Sequence, residues 1–300
     1  MSCSVIVRVL NEKENLNKLI KILETQQNVK FELIVIDSGS NDGTVEMLKD
    51  YKFKIPFIFT SIKKEEFTFG KSLNKAIEHS TYKDFIVSIS AHCFPLDELY
   101  LNKMINYLND LNVGLVFGRQ IADSKSALSE ANHLSKWFPK EEISLKNIFC
   151  NNGSSAFRYS DWKKIKFDQN ITGCEDILFA LELSNLGKEI VYEPNAPVTH
   201  FHNESFKVVF NRYRREANLI KTLFNHDLYL YKVFISSFKE IYSDILFRTS
   251  NEYPKSSLIE ILKYRMAKNM GQYFGRKDIK KFNIDYSKDQ KTDLLNHYFY

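Results

Sequence analysis

Asp37 closes the apolar run 33–37 and is followed by a turn of small polar residues, SGSNDGT. A carboxylate at the end of a buried strand must find donors, because an unpaired buried charge is costly. Two sources answer that need: a polar ligand in the crevice beyond the strand ends, or the backbone of the next turn, which the acid would cap. Other polar residues stand at the ends of neighbouring strands, Arg8 and Asn11 after the first, Ser38 beside Asp37, and Ser90 and His92 after the fourth. Between them FTFGKSLNKAI sets Gly70 and Lys71 at a helix start, where free N–H groups and the helix dipole favour an anion. A strand-end acid, a basic helix start and a polar turn beyond the next strand together suit a nucleotide diphosphate. Neither familiar phosphate loop is present: LNEKENL follows the first strand where GxGxxG would stand, and GxxxxGK[ST] does not occur.

The elements that must position these residues alternate. Residues 4–9, 33–37, 57–60, 85–89 and 114–117 read as strands, and residues 15–26, 44–50, 71–79 and 96–108 as helices between them. That alternation predicts parallel βαβ units and a doubly wound sheet. Residues 122–148 are polar and helix-prone, a composition suited to a lid or loop over a site, and strand signals return at 150–157 and 189–192. Beyond Phe206 the chain reads as helix. There Leu230, Phe234, Phe238, Ile241 and Ile245 form one apolar stripe at helical spacing, which is expected to dock as a core face, the alternative being a face lying on a membrane.

Bulk properties bound the class. Three hundred residues with 44% hydrophobic content, 10 Gly and 6 Pro describe a globular chain with ample core. The N-terminus enters a strand and then acids, and no run of 18 uncharged apolar residues occurs, so a cytosolic chain is expected. Cys3, Cys93, Cys150 and Cys174 are far apart without CxxC spacing, which predicts reduced, buried thiols. From Glu204 onward 18 Lys/Arg stand against 11 Asp/Glu, whereas the preceding residues hold 24 against 26. The basic excess therefore belongs to the C-terminal region and suggests an anionic surface or ligand there.

Read in order over residues 4–215, the segments VRVLNE, VIDSGSNDGT, FGKSLNKA, SAHCFP, FGRQ, NNGSSAFR, TGCEDILFA and VYEPNAPVTHFHNES resemble the inverting glycosyltransferases of family 2. The likeness is greatest to bacterial rhamnosyltransferase-type enzymes of capsule, lipopolysaccharide and O-antigen synthesis. It implies a GT-A fold, an α/β architecture with a mostly parallel sheet flanked by helices. Residues 1–205 would form the nucleotide-sugar-binding and catalytic domain, and residues 206–300 a basic helical C-terminal region. By the same resemblance Asp37 and Ser38 would meet the nucleotide base, with Arg8, Asn11 and Glu12 lining the pocket and Lys71 approaching the phosphates. Glu175 and Asp176 match an acid pair whose Asp serves as general base, and His200 and His202 stand where relatives carry a histidine near the diphosphate or metal. An inverting transfer needs one carboxylate at the acceptor hydroxyl, opposite the leaving group. Two adjacent acids at a helix start point apart, so only Asp176 or Glu175 can act; as an isolated pair they would read as helix caps.

One motif departs from the family. Where relatives carry Asp-x-Asp after the fourth strand, this chain has Ser90-Ala91-His92. Mg²⁺ loses most by that change, while Mn²⁺ accepts imidazole. Either His92 forms an altered metal site with His200 or His202, or Lys71 and the Arg212, Arg214, Arg215 cluster neutralise the leaving phosphate. On the sugar and acceptor side, Asn152, Gly153 and Ser154 are small enough to leave room for a ring, and Trp162 offers either a stacking face or a core side chain. Arg119 and Gln120 end the fifth strand near the same edge and would contact the donor sugar. YRREANLIK and KYRMAKNMGQYFGRKDIKK suit anionic headgroups or a lipid-linked saccharide, or else a solvated helical face. The expected partners are thus a nucleotide-diphosphate sugar or CMP-sugar, a saccharide acceptor and an anionic membrane surface, with nucleic acid excluded. A nucleotidyltransferase would carry a Gly-rich, Arg-containing loop after the first strand, which LNEKENL is not; a catalytically silent glycan- or nucleotide-binding protein is the remaining alternative.

Overall fold

The computed structural model describes residues 1–141, 150–200, 204–224, 227–250 and 257–278. In chain order, β1 (Ser2–Val9), α1 (Lys13–Leu23), β2 (Lys30–Asp37), α2 (Thr44–Asp50), β3 (Phe57–Ser61), α3 (Phe69–Glu78) and β4 (Phe85–Ser90) follow the expected alternation. Next come β5 (Cys93–Pro95), α4 (Tyr100–Asn106), β6 (Val113–Ala122), α5 (Leu128–Trp137), β7 (Ser154–Arg158), α6 (Tyr159–Ile165), α7 (Glu175–Asn185) and β8 (Glu189–His200). Three helices close the described chain: α8 (Phe206–Phe224), α9 (Leu230–Ser250) and α10 (Leu258–Gly275).

The strands form one sheet in the order β3-β2-β1-β4-β7-β6-β8-β5. Its first four strands are parallel, while β7 pairs antiparallel with both β4 and β6, and β5 pairs antiparallel with β8. The expected α/β sheet flanked by helices is present. Parallel strands covered on both faces read as continuous apolar runs, and every residue of β2 after Lys30 is buried. Helix α1 contributes Leu16, Leu19, Ile20 and Leu23 to one side of this core. Register brings the polar ends level: Val9 stands opposite Asp37, and Arg8 opposite Ser90. A crevice at the carboxyl ends of parallel strands is where α/β sheets hold ligands.

The chain divides into two compact units, Met1–Gln120 with Pro139–His200, and Ile121–Phe138 with the C-terminal helices. The boundary expected near residue 205 is therefore incomplete, because residues 121–138 join the second unit. The physical reason lies in α5, whose Ser129 and Asn132 hydrogen-bond to Asp244 of α9 and whose Glu130 pairs with Arg212 of α8. The lid or loop expected over residues 122–148 is instead a docked helix at Leu128–Trp137, while residues 142–149 lie outside the described residues. In this unit α8 and α10 approach closely. A Cβ at Gly271 would sit 2.4 Å from the Phe210 carbonyl oxygen, and one at Gly275 would sit 2.1 Å from that of Arg214.

Helix α9 corrects a second expectation. Its apolar stripe does not dock: Phe234 is 59% and Phe238 73% exposed. The inward side carries Val233, Glu240 and Asp244, held by Arg265, Lys268 and Asn269 of α10. Spacing predicted the stripe but not the direction in which it points.

Candidate active site

The sheet-end crevice of the first unit is stitched together by backbone-directed polar contacts. Asp37 is 4% exposed, and its carboxylate accepts from the N–H groups of Gly39 (2.8 Å) and Ser40 (3.1 Å). Of the two donors open to it, the turn is therefore the one this geometry uses. Ser38 donates its hydroxyl to the Val9 carbonyl at 3.0 Å. Asn11 adopts a left-handed backbone (φ 58°); its N–H donates to Ser40 Oγ, and its Oδ1 accepts from the Asn41 N–H, both at 2.8 Å. The loops after β1 and β2 thus form one rigid rim.

Arg8, at the end of β1, reaches sideways. Its guanidinium donates to the Phe69 carbonyl at 3.3 Å and to Glu175 Oε1 at 3.2 Å, and it lies 4.8 Å from the centre of the Phe69 ring. Arg8 therefore ties the start of α3 to the start of α7. At α3, Thr68 caps the helix by accepting from the Lys71 N–H at 3.1 Å. Lys71 Nζ lies 3.7 Å from Glu66, and both side chains are about half exposed, a pairing of little strength that leaves the ammonium open to an anion.

The acid pair resolves into two environments. Helix α7 starts at Cys174, whose backbone is left-handed (φ 55°), so Glu175 and Asp176 open the first turn. Unusual backbone at Asn11 and Cys174 fits a site whose geometry is enforced by its surroundings. Glu175 is buried and satisfied within the protein by Arg8 and by the Asn152 amide at 3.4 Å. Asp176 is partly exposed; its oxygens accept from the N–H groups of Asn152 (3.0 Å) and Ile177 (2.9 Å). Burial of its carboxyl, with the neighbouring Glu175 charge, pushes its pKa up to about 7, against the pull of those two amides and of Arg8.

The segment expected to shape a sugar pocket is packed instead. Asn152 is 3% exposed and uses its groups on Glu175, Asp176, Ser88 and Ser155. A Cβ at Gly153 would meet Asn151 Oδ1 at 2.7 Å and Gln120 Nε2 at 3.1 Å, so a larger residue there would displace those two side chains. Ser154 is fully buried, its hydroxyl 2.8 Å from that of Tyr100. Trp162 is 1% exposed and donates its Nε1–H to Asn74 Oδ1 at 2.9 Å, so of its two readings the core one holds. Asn152 therefore holds both acids from behind, Gly153 and Ser154 pack beside it, and Trp162 buttresses α3.

Ala91 is buried and Ser90 half-buried, and the Ser90 N–H donates to the Gly153 carbonyl at 3.2 Å. His92 Nδ1 lies 2.9 Å from Glu12 Oε1, and His200 Nδ1 lies 2.6 Å from Gln120 Oε1. The two imidazoles stack with centroids 5.2 Å apart and planes 12° apart. Stacked, nearly parallel rings do not aim their in-plane lone pairs at a common point. Glu12, the carboxylate at hand, already bonds His92 and Asn15. Among the described residues no group of three His, Cys, Asp or Glu side chains could hold a metal ion by itself, whereas a divalent cation held chiefly by the donor's phosphates needs only one or two protein ligands. His202 lies outside the described residues. Within the second unit Arg212 pairs with Glu130 and Glu204 and Arg214 with Asp278, while Arg215 is exposed. Arg119 is half-buried and Gln120, apart from His200, is enclosed.

Residue types alone did not reveal the Arg8–Glu175, Glu12–His92 and Gln120–His200 pairs. Each joins elements that only the sheet order brings together.

Residues 4–162 match the glycosyl transferase family 2 model. The chain belongs to glycosyl transferase family 2. Within the family it is 26% identical over 224 residues to the O-antigen chain rhamnosyltransferase RfbN of Salmonella typhimurium, covering 71% of this chain and 70% of that one. It is 28% identical over 208 residues to WbaN of Salmonella anatum, an O-antigen chain rhamnosyltransferase, covering 66% and 65% respectively. Among solved structures, the mannosyltransferase PcManGT of Pyrobaculum calidifontis, in complex with GDP-Man and Mn²⁺, superposes with a TM-score of 0.62 at 15% identity over 92% of this chain and 85% of that one. S. aureus TarS 1–349 in complex with UDP-GlcNAc superposes with a TM-score of 0.55 at 18% identity, covering 89% and 79%. These structures share the fold of this family 2 enzyme. No helix among its described residues is long and apolar enough to cross a membrane.

Proposed function

We propose that the enzyme moves one sugar from a nucleotide-sugar donor to a saccharide acceptor in surface-polysaccharide synthesis, with inversion, Asp176 taking the acceptor proton. The observation that carries the reading is the unequal acid pair. Glu175 is neutralised by Arg8, while Asp176 is partly open to solvent and has a pKa raised to about 7. A base is most effective when its pKa lies near the working pH. The donor is a nucleotide-diphosphate sugar, its base resting on the rim shaped by Asp37, Ser38 and Asn11, with Arg119 and Gln120 at the end of β6 on the donor side. GDP-Man and UDP-GlcNAc in the neighbouring structures support that class. Charge on the departing diphosphate falls to Lys71 and the free N–H groups opening α3. The acceptor is a saccharide carried on lipid, in keeping with the O-antigen relatives.

Asp176→Asn tests the reading. Removal of a general base lowers kcat by about 10²–10⁴-fold. Donor affinity, followed by calorimetry, should change little in the same variant. Unchanged turnover sinks the assignment of the base, and a wild-type protein that binds donor but never glycosylates any acceptor supports a silent binding protein instead. Lys71→Ala should weaken nucleotide-diphosphate binding by about tenfold, the worth of one charge-assisted contact. Turnover abolished by a chelator would return the diphosphate to a metal and remove it from Lys71.

A further inference from the structure

Helix α9 is built inside out. Asp244 is fully buried, and its carboxylate takes the Arg265 guanidinium at 2.5 and 2.7 Å together with Ser129 and Asn132. Glu240 binds Lys268 at 2.5 Å and Asn269 at 3.2 Å. The polar seam is satisfied within the unit. Turned away from it, Tyr231, Phe234, Ile235, Phe238, Tyr242 and Leu246 are each at least half exposed. A helix in a globular protein ordinarily shows the reverse arrangement. With large side chains of roughly 150–250 Å² each, this face amounts to about 800 Å², above the roughly 300–600 Å² of the largest patch on a typical monomer.

Charge decides what covers it. The exposed side chains of α9 include Lys232 and Lys239 and no acid. Two copies packed through this face would gather lysines at the rim with nothing to meet them. Anionic headgroups would meet them. Tyr231 and Tyr242 add rings with polar tips, which suit the boundary between acyl chain and headgroup. Helix α9 has 21 residues, five of them charged, and no described helix is apolar enough to span a bilayer. We infer that α9 lies in the plane of an anionic phospholipid surface, with Phe234 and Phe238 in the acyl boundary and Lys232 and Lys239 among the headgroups.

The test is flotation of the full chain with vesicles of equal parts phosphatidylcholine and phosphatidylglycerol, and with phosphatidylcholine vesicles alone. The wild-type protein floats with the mixed vesicles. Phe234→Asp/Phe238→Asp lowers the bound fraction at least tenfold while leaving the melting curve unchanged, because both rings are exposed. Lys232→Gln/Lys239→Gln weakens binding to the mixed vesicles by about thirtyfold and leaves binding to phosphatidylcholine unaltered. Three results would overturn the inference: no flotation of the wild type, equal flotation of the Phe variant, or a wild-type oligomer in sedimentation velocity that the Phe variant dissolves, which would assign the face to a second copy.

Discussion

Asp176 and Glu175 are adjacent in sequence, and Arg8 separates their chemistry. With Asp176 raised to about 7, log kcat/KM should climb with pH at unit slope and level off near neutrality. Arg8 lowers the Asp176 pKa, so Arg8→Met should move that acid limb upward, and the shift is read from the pH–rate profile. The same variant leaves Glu175 buried with only the Asn152 amide, which should cost about 3–5 kcal/mol of unfolding free energy by denaturant titration. A flat profile in the wild type would show that neither acid moves the proton. At this scale Asp37 at a strand end and Lys71 at a helix start stood out because those positions constrain what polar residues do, whereas Asp176 was singled out by the family resemblance, an isolated acid pair reading as a helix cap. The enclosure of Asn152, Ser154 and Trp162 was not, since small and aromatic residues serve a pocket wall and a packed core equally well.

Among the elements, α3 shows how the site depends on packing behind it. A Cβ on Gly70 would lie 2.0 Å from the Asp168 carbonyl oxygen, and Asn74 on the same helix holds Trp162 and the backbone of Phe167. Gly70→Ala should therefore destabilise by about 1–3 kcal/mol through forced separation, and Trp162→Phe by about 1–3 kcal/mol through the smaller ring and the lost indole hydrogen bond, the Asn74 Oδ1 keeping only the Phe167 N–H. Urea unfolding reads both. Acceptor KM should stay within about twofold in Trp162→Phe, because a core side chain contributes no sugar contact, whereas a stacking face would be worth about 0.5–1.5 kcal/mol. Alternation along the chain disclosed the strands and helices of the parallel half, where each element covers the next. Periodicity also disclosed the stripe on α9, but a period of 3.6 is silent about which side turns inward when charged partners on α5 and α10 compete for the helix. The placement of α5 was hidden for the same reason: its anchors, Arg212 and Asp244, lie far along the chain.

Carboxyls shifted in both senses occur in the molecule: those of Glu32 and Asp42 in the first unit are lowered, and that of Glu216 in the second is raised by burial. Burial alone would likewise raise the pKa values of Asp244 and Glu240 in the second unit, but Arg265 at Asp244, and Lys268 with Arg265 at Glu240, hold both below the ordinary range. Their contribution is present above the ordinary carboxylate pKa and is lost as pH falls through the depressed values. His133 acts alike: burial, then the Lys268 charge, pushes it down to about 3, so between 6.5 and about 3 the unfolded chain takes a proton that the folded one refuses. In the first unit Asp176 does the reverse, since its folded form holds a proton more tightly and that contribution fades as pH rises from 3.8 to about 7. Trp137 lies in the second unit and Trp162 in the first. Acid titration of Trp162→Phe, followed by Trp137 fluorescence, should therefore show the second unit losing stability as pH falls from 6.5 towards 3, the range in which His133 takes a proton only in the unfolded chain. Stability that stays level over that range would contradict this.

The outward rings of α9 also bear on handling the protein at the bench. Its mean hydropathy of −0.33 is that of an ordinary water-soluble chain, yet the apolar surface is gathered on one helix while the ions that hold that helix are enclosed. Excluded salts such as sulfate strengthen apolar adhesion and barely reach enclosed ion pairs. Ammonium sulfate should accordingly drive this protein onto a phenyl resin far earlier than its average composition suggests, and a little mild detergent should release it still folded.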